Sequence, residues 1–407
     1  MIAENSDYVR GSITRYLEQG TKVREEVWGH VAEVLKEDWA KVQAKIRKKQ
    51  NSDWTDKVTE SLNNGTSLAF RVMRKAGQKA PPPESVLLPD GSRSYSSSHV
   101  LQKYMDIWAG WWKGTEQEEE EEVWPGCCSP GRRTVQEIRE AAKGFKTVTS
   151  CADGWHPRMF GHLSNKLTES LANLLILTEA GAGFPGREKV VLTRLIPKQS
   201  GPGLRPINVF RSIPRLYSKL ISTEARAWQA TNLGASHNNR SWRNVGDACW
   251  RTQMKVSAHE KAAGHRLVAE IQTDLQKAFD AVGRHRLLDR AKEEDYPLAC
   301  LGAAIQSYSW VRRLAIGNQV SEEVWPKLGI AAGSSTAVGE LALLLNKAIT
   351  RFSEAMPGSI TYVHVDDIST TIFADSLEEM EHKAAEVAHM YIEELVVKNG
   401  LSLAQYK

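Results

Sequence analysis

Two adjacent carboxylates, Asp366 and Asp367, join two β-branched segments late in the sequence. The segments, residues 360–365 and 368–373, have the composition of strands, and their junction lacks the glycine or asparagine that tight hairpin turns prefer. Carboxylates held this close repel each other, and a hard divalent cation between them relieves the repulsion. The pair therefore indicates a metal site, although taken alone an Asp-Asp turn is more often structural.

A third carboxylate, Asp274, follows the strand-like segment 267–273 and precedes a predicted helical turn. A carboxylate at the end of a strand can point into a cleft. Considered alone, however, this segment is better explained by Asp274 or Thr273 capping the helix that follows.

Two basic residues, Lys198 and Arg205, flank a glycine-containing turn in the predicted hairpin 195–207. A lysine and an arginine on one hairpin suit a triphosphate, although a plain surface hairpin is commoner for such a stretch. The small residues around Gly333 open the predicted helix 338–349. They would leave backbone N–H groups where a nucleotide or a template could approach closely.

Taken in chain order, these stretches resemble the reverse transcriptase domain of non-LTR (LINE-type) retrotransposons. The order of the motifs carries the resemblance more than any single motif does. It extends over residues 134–407 and includes similar stretches at 152–157 and 400–407.

The resemblance implies an α+β polymerase right-hand fold, with fingers and a palm that contains a small antiparallel sheet. Residues 134–407 would form the fingers and palm, and residues 1–133 a helical N-terminal extension with a loop-rich linker. Helical spacing of apolar residues over positions 12–76 agrees with that extension. The thumb of such enzymes would lie beyond Lys407, so we expect an internal fragment of a longer polyprotein or a decayed copy.

The resemblance also implies an RNA-directed DNA polymerase that uses an RNA template, a DNA primer and deoxynucleoside triphosphates. Two Mg²⁺ ions, with Mn²⁺ as the alternative, would be held by the catalytic residues Asp274, Asp366 and Asp367. The triphosphate site would comprise Lys198, Arg205, Phe279, Gly333 and Lys407. Phe279 would exclude a 2′-hydroxyl; the alternative is that it packs into the core.

The sequence departs from the family pattern at several positions. Ala331 and Ala332 replace the usual Pro-Gln, which removes a glutamine that positions template and nucleotide. His364 replaces an aromatic residue, and we expect it to be packed and neutral. These departures favour an alternative function, a catalytically inactive remnant that binds nucleic acid without polymerising. An RNA-dependent RNA polymerase is a third possibility, against which Phe279 argues.

The charge distribution agrees with a phosphate-bearing partner. The net charge is +4, and residues 187–226 hold nine basic against two acidic side chains. A solvated basic surface would look the same. With no apolar run near 20 residues we expect no membrane span. With five cysteines, an odd number, we expect free thiols and an intracellular protein, nuclear and cytoplasmic, beside other parts of a retroelement polyprotein.

Overall fold

The structure is a computed structural model that describes residues 85–114, 133–198, 203–238, 245–263 and 267–404. It also describes a few positions between 37 and 56, and all of these are helical, as the spacing there predicts. The chain divides into two compact units, Met1–Pro81 and Pro82–Lys407. The domain boundary predicted at residue 133 falls inside the second unit and stays a prediction.

The second unit alternates helices and short strands. The strands are β1 Val86–Leu87, β2 Arg93–Ser94, β3 Val190–Pro197, β4 Leu204–Val209, β5 Leu267–Asp274, β6 Val311–Ile316, β7 Gln319–Val324, β8 Ile360–His364 and β9 Asp367–Ala374. The α-helices are α1 Ser97–Trp112, α2 Val135–Lys143, α3 Asn165–Leu177, α4 Ser212–Asn232, α5 Val245–Ala263, α6 Ala278–Ala281, α7 Arg284–Glu293, α8 Leu298–Tyr308, α9 Ala337–Ala355 and α10 Leu377–Tyr391.

A three-stranded antiparallel sheet has the order β5-β9-β8. Its outer strand β8 is met by the segment around His237, since Asn238 donates its N–H to the Val363 carbonyl and Val363 donates to the Ser236 carbonyl. At the other edge, Gln276 and Ala404 form backbone hydrogen bonds that hold the segment after Leu401 against the end of β5. Both edges are therefore paired close to the turn between β8 and β9.

A four-stranded sheet has the order β4-β3-β6-β7. The β3–β4 and β6–β7 pairs are antiparallel hairpins, and β3 runs parallel to β6. The predicted α+β class with a small antiparallel sheet is confirmed.

Helix α9 is the centre of the main core. Its residues Leu341, Leu343, Leu344 and Leu345 are all fully buried, so every side of the helix is covered along this stretch. A second, smaller core forms where the aromatic side of α1 covers the four-stranded sheet; it contains Val100, Leu101, Tyr104, Trp108, Trp112, Leu195, Leu204 and Leu314. The helix thereby joins the N-terminal part of this unit to the strands that follow.

Local signals set the start of several helices. Thr134 caps α2 by accepting a hydrogen bond from the Glu137 N–H, and the Glu137 carboxylate accepts from the Thr134 N–H. Such a capping box satisfies two backbone donors that the helix itself cannot pair. Ser164 and Ser376 cap α3 and α10 with their hydroxyls, which accept hydrogen bonds from the N–H groups of Leu167 and Glu379.

Cys151, Cys249 and Cys300 are free thiols, whereas Cys127 and Cys128 lie outside the described residues. None of the described helices is both long and apolar enough to span a bilayer.

Gly333 allows the loop before α9 to touch β4. Its φ is +115°, and a β-carbon added there would lie 2.3 Å from the carbonyl oxygen of Asn208. Asn208 also donates its N–H to the Ala332 carbonyl and accepts a hydrogen bond from Thr193 Oγ1 at 2.7 Å. The loop and the four-stranded sheet are therefore in direct backbone contact, which leaves no space for a side chain at position 333.

We expect Gly333→Ala to lower the free energy of unfolding by roughly 3 kcal/mol or more, because backbone strain and a backbone clash add. Gly358→Ala is the matched control: φ is +94° there, but nothing lies within 4 Å of the added carbon. It should cost about 1 kcal/mol, the conformational term alone. Urea unfolding of both variants measures the difference, and equal costs would contradict the close approach.

Candidate active site

Asp274, Asp366 and Asp367 lie at the same end of the three-stranded sheet. Asp274 is the last residue of β5 and Asp367 the first of β9, and the antiparallel register pairs them directly. Directly opposed residues project their side chains from the same face. Asp366 lies in the turn that leads into Asp367. Positions 274 and 366 are 92 residues apart in the sequence, so the register alone brings these acids together.

The turn between β8 and β9 has an unusual backbone. His364 pairs with Asp367, which leaves a two-residue turn, and Val365 has a φ of +63°. A β-branched residue in the left-handed region is strained, at a cost of about 1 to 3 kcal/mol. The turn thus holds Asp366 at its tip in a geometry that the local sequence does not favour. His364 is exposed, so the expectation of a packed histidine is wrong; its strand neighbour Val363 points inward instead.

Asp366 is the carboxylate whose electrostatics the site perturbs most. Burial raises its pKa above the ordinary value, and the negative charges of Asp367 and Asp274 raise it further. The positive charge of Arg205 acts in the opposite direction. Arg205 belongs to β4 of the other sheet, so the hairpin formed by β3 and β4, here called the basic hairpin, lies within electrostatic range of Asp366.

The chemistry of the three acids fits Mg²⁺, which prefers carboxylate oxygens. The mutual repulsion at Asp366 is also the strain that a divalent cation would relieve. Among the described residues, no group of three or more His, Cys, Asp or Glu side chains is already arranged to hold a metal ion. The three acids are therefore of the residue type that binds Mg²⁺, and metal binding by them stays a prediction.

The two cations predicted from the sequence lie at the tip of the basic hairpin. Arg205 is exposed on β4, and Lys198 directly follows β3, where its N–H donates to the Gly203 carbonyl. Helix α1 fixes this end of the hairpin, because the N–H of Leu204 donates to the hydroxyl of Tyr104 at 2.9 Å.

Sequence reasoning missed a third cation, Lys277. It lies in the loop after Asp274 with a φ of +51°, and its Nζ is 4.4 Å from the ring centroid of Trp108. Burial lowers the pKa of Lys277, and the positive charges of Lys198 and Arg205 lower it further. Lys198 and Arg205 therefore both lie close enough to repel the charge of Lys277.

Asp280, one turn beyond Lys277, anchors this loop to α1. It accepts a hydrogen bond from Trp112 Nε1 at 2.7 Å and faces Arg312 at 3.8 Å. Burial raises the pKa of Asp280 and lowers that of Arg312 to about 10, so both groups lose hydration here. The indole bond is the shorter contact, and Arg312 also stacks on the ring of Trp112. The loop is thus tied to the helix by buried polar contacts.

Three other residues predicted for the triphosphate site have different placements. Phe279 is half-buried and packs against the main core, as its core alternative requires. Gly333 makes its close approach to Asn208. Lys407 lies outside the described residues, although Ala404 donates its N–H to the carbonyl of Asp274. Nucleotide contacts of these three residues stay predictions.

All nine basic side chains of residues 187–226 are exposed or half-buried. Arg187 and Arg211 pair with Glu188 at 3.6 and 3.4 Å, and Arg194 donates to the Gly317 carbonyl. The charge is therefore on the surface, as both sequence interpretations expect.

No family model and no curated protein matches the sequence. Apo telomerase from Candida tropicalis is a similar solved structure, with 12% identity and a TM-score of 0.39 over 54% of this chain and 43% of that chain. A form truncated from the C-terminal domain has 12% identity and a TM-score of 0.39 over 64% and 58%. Telomerase from Candida albicans in complex with a TWJ fragment of telomeric RNA has 10% identity and a TM-score of 0.37 over 54% and 43%.

This chain thus spans 43% to 58% of the length of those structures.

We expect Asp366→Asn to raise the free energy of unfolding at pH 7 without metal, by up to about 1 kcal/mol after solvent screening. The folded state binds the proton of Asp366 more tightly than the unfolded chain does, so ionisation at pH 7 opposes folding. Asp375→Asn, which removes an exposed carboxylate at the far end of β9, is the control and should have no such effect.

Thermal unfolding with and without Mg²⁺ measures the difference. Mg²⁺ should stabilise the parent more than Asp366→Asn. An equal response of parent and variant to Mg²⁺ would argue against a cation at these carboxylates.

Proposed function

We propose that this chain is the RNA-directed DNA polymerase part of a non-LTR retroelement. The observation that supports the proposal best is the β5–β9 register, which sets Asp274 beside Asp367 and Asp366 with Arg205 within electrostatic reach. Three acidic residues at one sheet end, with Arg205 acting on one of them, suit nucleotidyl transfer, in which metal ions and a triphosphate must be held together. The finer assignment to the non-LTR class rests on the order of the sequence motifs.

The proposed reaction is in-line attack of a primer 3′-hydroxyl on the α-phosphorus of a deoxynucleoside triphosphate, with pyrophosphate leaving. When bound, two Mg²⁺ ions supply activation of the hydroxyl and neutralisation of the phosphates. Asp274, Asp366 and Asp367 are the residues that would hold these ions. Lys198 and Arg205 bind the triphosphate from the basic hairpin.

Phe279 faces the sugar in this proposal. A planar ring leaves room for deoxyribose and collides with a 2′-hydroxyl, so ribonucleotides are excluded by shape. The basic surface of residues 187–226 holds the RNA template and DNA primer by their phosphates. As a retroelement enzyme, the chain would act beside other parts of the same polyprotein, in the nucleus and the cytoplasm.

A second candidate function is binding of nucleic acid without polymerisation. Ala332 stands where the family has glutamine, and its carbonyl is bound to the N–H of Asn208. An alanine at this position offers no side-chain amide to a template or nucleotide.

Primer extension on an RNA template separates the two candidates. In a protein that continues through the thumb segment expected after Lys407, we expect extension of a DNA primer with deoxynucleotides and Mg²⁺, and Asp366→Asn should lower the rate about 1,000-fold or more because a metal ligand is lost. Phe279→Ala should incorporate ribonucleotides while extension with deoxynucleotides persists. If Phe279→Ala discriminates as its parent does, Phe279 is a core residue. Template binding by the parent without extension would favour the second candidate.

Binding of primer-template should weaken steeply with salt, because each phosphate neutralised by residues 187–226 releases counterions. Replacing Lys189 and Arg226, two exposed members of this segment, by methionine should reduce the slope of log K against log salt by about 2, since one unit is lost per contact. Lys292→Met, on the surface of α7 beside Asp289, is the charge-matched control. A binding constant that does not change between 50 and 200 mM salt would refute a phosphate-binding surface.

A further inference from the structure

We propose that Lys277 is a third triphosphate-binding cation and that Trp108 of helix α1 is its positioning residue. The inference rests on the proposed function, because it assigns Lys277 to the same triphosphate that Lys198 and Arg205 would bind. It adds an element that the sequence motifs do not contain, a helix that precedes all of them in the chain.

The aromatic stripe of α1 is the physical basis. Tyr104, Trp108 and Trp112 recur every fourth residue and are all buried, so they form one line along a single helical face. Each member contacts a different part of the candidate site. Tyr104 accepts a hydrogen bond from the start of β4, Trp108 lies under Lys277, and Trp112 donates to Asp280.

Trp108 restricts where the Lys277 amine can lie. The amine is 4.4 Å from the centre of the indole ring, and an ammonium over a tryptophan face is held by the ring quadrupole. The left-handed backbone of Lys277 costs energy for a residue other than glycine. The strained backbone of Lys277 is therefore the conformation in which its amine lies over the Trp108 ring.

Tyr104 holds the other two cations, Lys198 and Arg205, at the same face of α1 that contacts Lys277. A β-carbon added to Gly203 would be 3.3 Å from the Tyr104 hydroxyl and 3.8 Å from Lys198 Nζ, so Lys198 lies beside the helix. Arg205 follows Leu204, whose N–H is bound to that hydroxyl. Since Tyr104 and Trp108 are one helical turn apart, the helix sets the spacing between the basic hairpin and Lys277.

The resulting cluster suits a polyanion. Lys198 and Arg205 both repel the charge of Lys277, and Asp280, the acid that acts on Lys277, already accepts the Trp112 indole N–H. A triphosphate would supply the charge that offsets this repulsion, and its oxygens accept hydrogen bonds from all three cations. The phosphate could also belong to a nucleic acid backbone, so the test distinguishes the two sources.

The test measures binding of inorganic tripolyphosphate, of dTTP and of a primer-template duplex by calorimetry in metal-free buffer. Lys277→Met should weaken tripolyphosphate and dTTP binding about 10- to 100-fold, the usual effect of losing one charge-assisted contact. Trp108→Leu should weaken both about 3- to 10-fold. In the double variant the loss should equal that of Lys277→Met alone, because Trp108 acts through Lys277.

Two further variants keep the inference falsifiable. Trp108→Phe retains a buried ring with a weaker cation–π contact, so it should fold and weaken tripolyphosphate binding about 2- to 3-fold. Lys292→Met removes one surface charge elsewhere and should bind as the parent does. Circular dichroism checks the fold of each variant.

The outcomes separate this inference from the proposed function. If Lys277→Met binds tripolyphosphate like Lys292→Met while Lys198→Met and Arg205→Met lose binding, the inference is overturned and the proposed function stands. If Lys277→Met weakens only duplex binding, Lys277 contacts a nucleic acid backbone and the inference is overturned. A parent protein that binds neither tripolyphosphate nor dTTP would overturn both.

Discussion

The candidate site depends on one pairing register, that of β5 against β9. Because the side chains of a strand alternate between its two faces, a shift of one residue would turn Asp274 away from Asp367. Burial of the inward residues Ile368 and Ile372 on β9 opposes such a shift, since it would also bring them to the exposed face. The same apolar contacts that stabilise the sheet therefore also fix the position of the carboxylates.

The second requirement is that two separate sheets be held at a fixed distance. The carboxylates belong to the three-stranded sheet and the basic hairpin to the four-stranded one. Helix α1 contacts both sides, through Tyr104 at the hairpin and Trp112 at Asp280. Burial of apolar side chains stabilises this contact, and the two hydrogen bonds fix the orientation of α1 relative to the hairpin and to Asp280. The electrostatic effect of Arg205 on Asp366 is a consequence of that arrangement.

The sequence predicted the strands that end at the three acids, because β-branched alternation is a local signal. The catalytic role of these acids, drawn from the order of the motifs, stays a prediction. The sequence did not predict Lys277 or the role of Trp108, because their contact joins α1 to a loop about 170 positions away and depends on how the helix packs. The spacing of Tyr104, Trp108 and Trp112 was a visible signal of one buried face, but it does not identify what that face covers. For Phe279 the sequence left two roles open, and the structure describes contacts to the core.

The paired edges of the three-stranded sheet have a consequence for association between molecules. An unpaired strand edge can recruit a strand from another chain and so start aggregation. Here the segment around His237 occupies the outer edge of β8 at Val363, and residues 402–404 occupy the edge at the end of β5. Next to the acids, neither edge of the sheet is therefore open to a strand from a second copy of the chain.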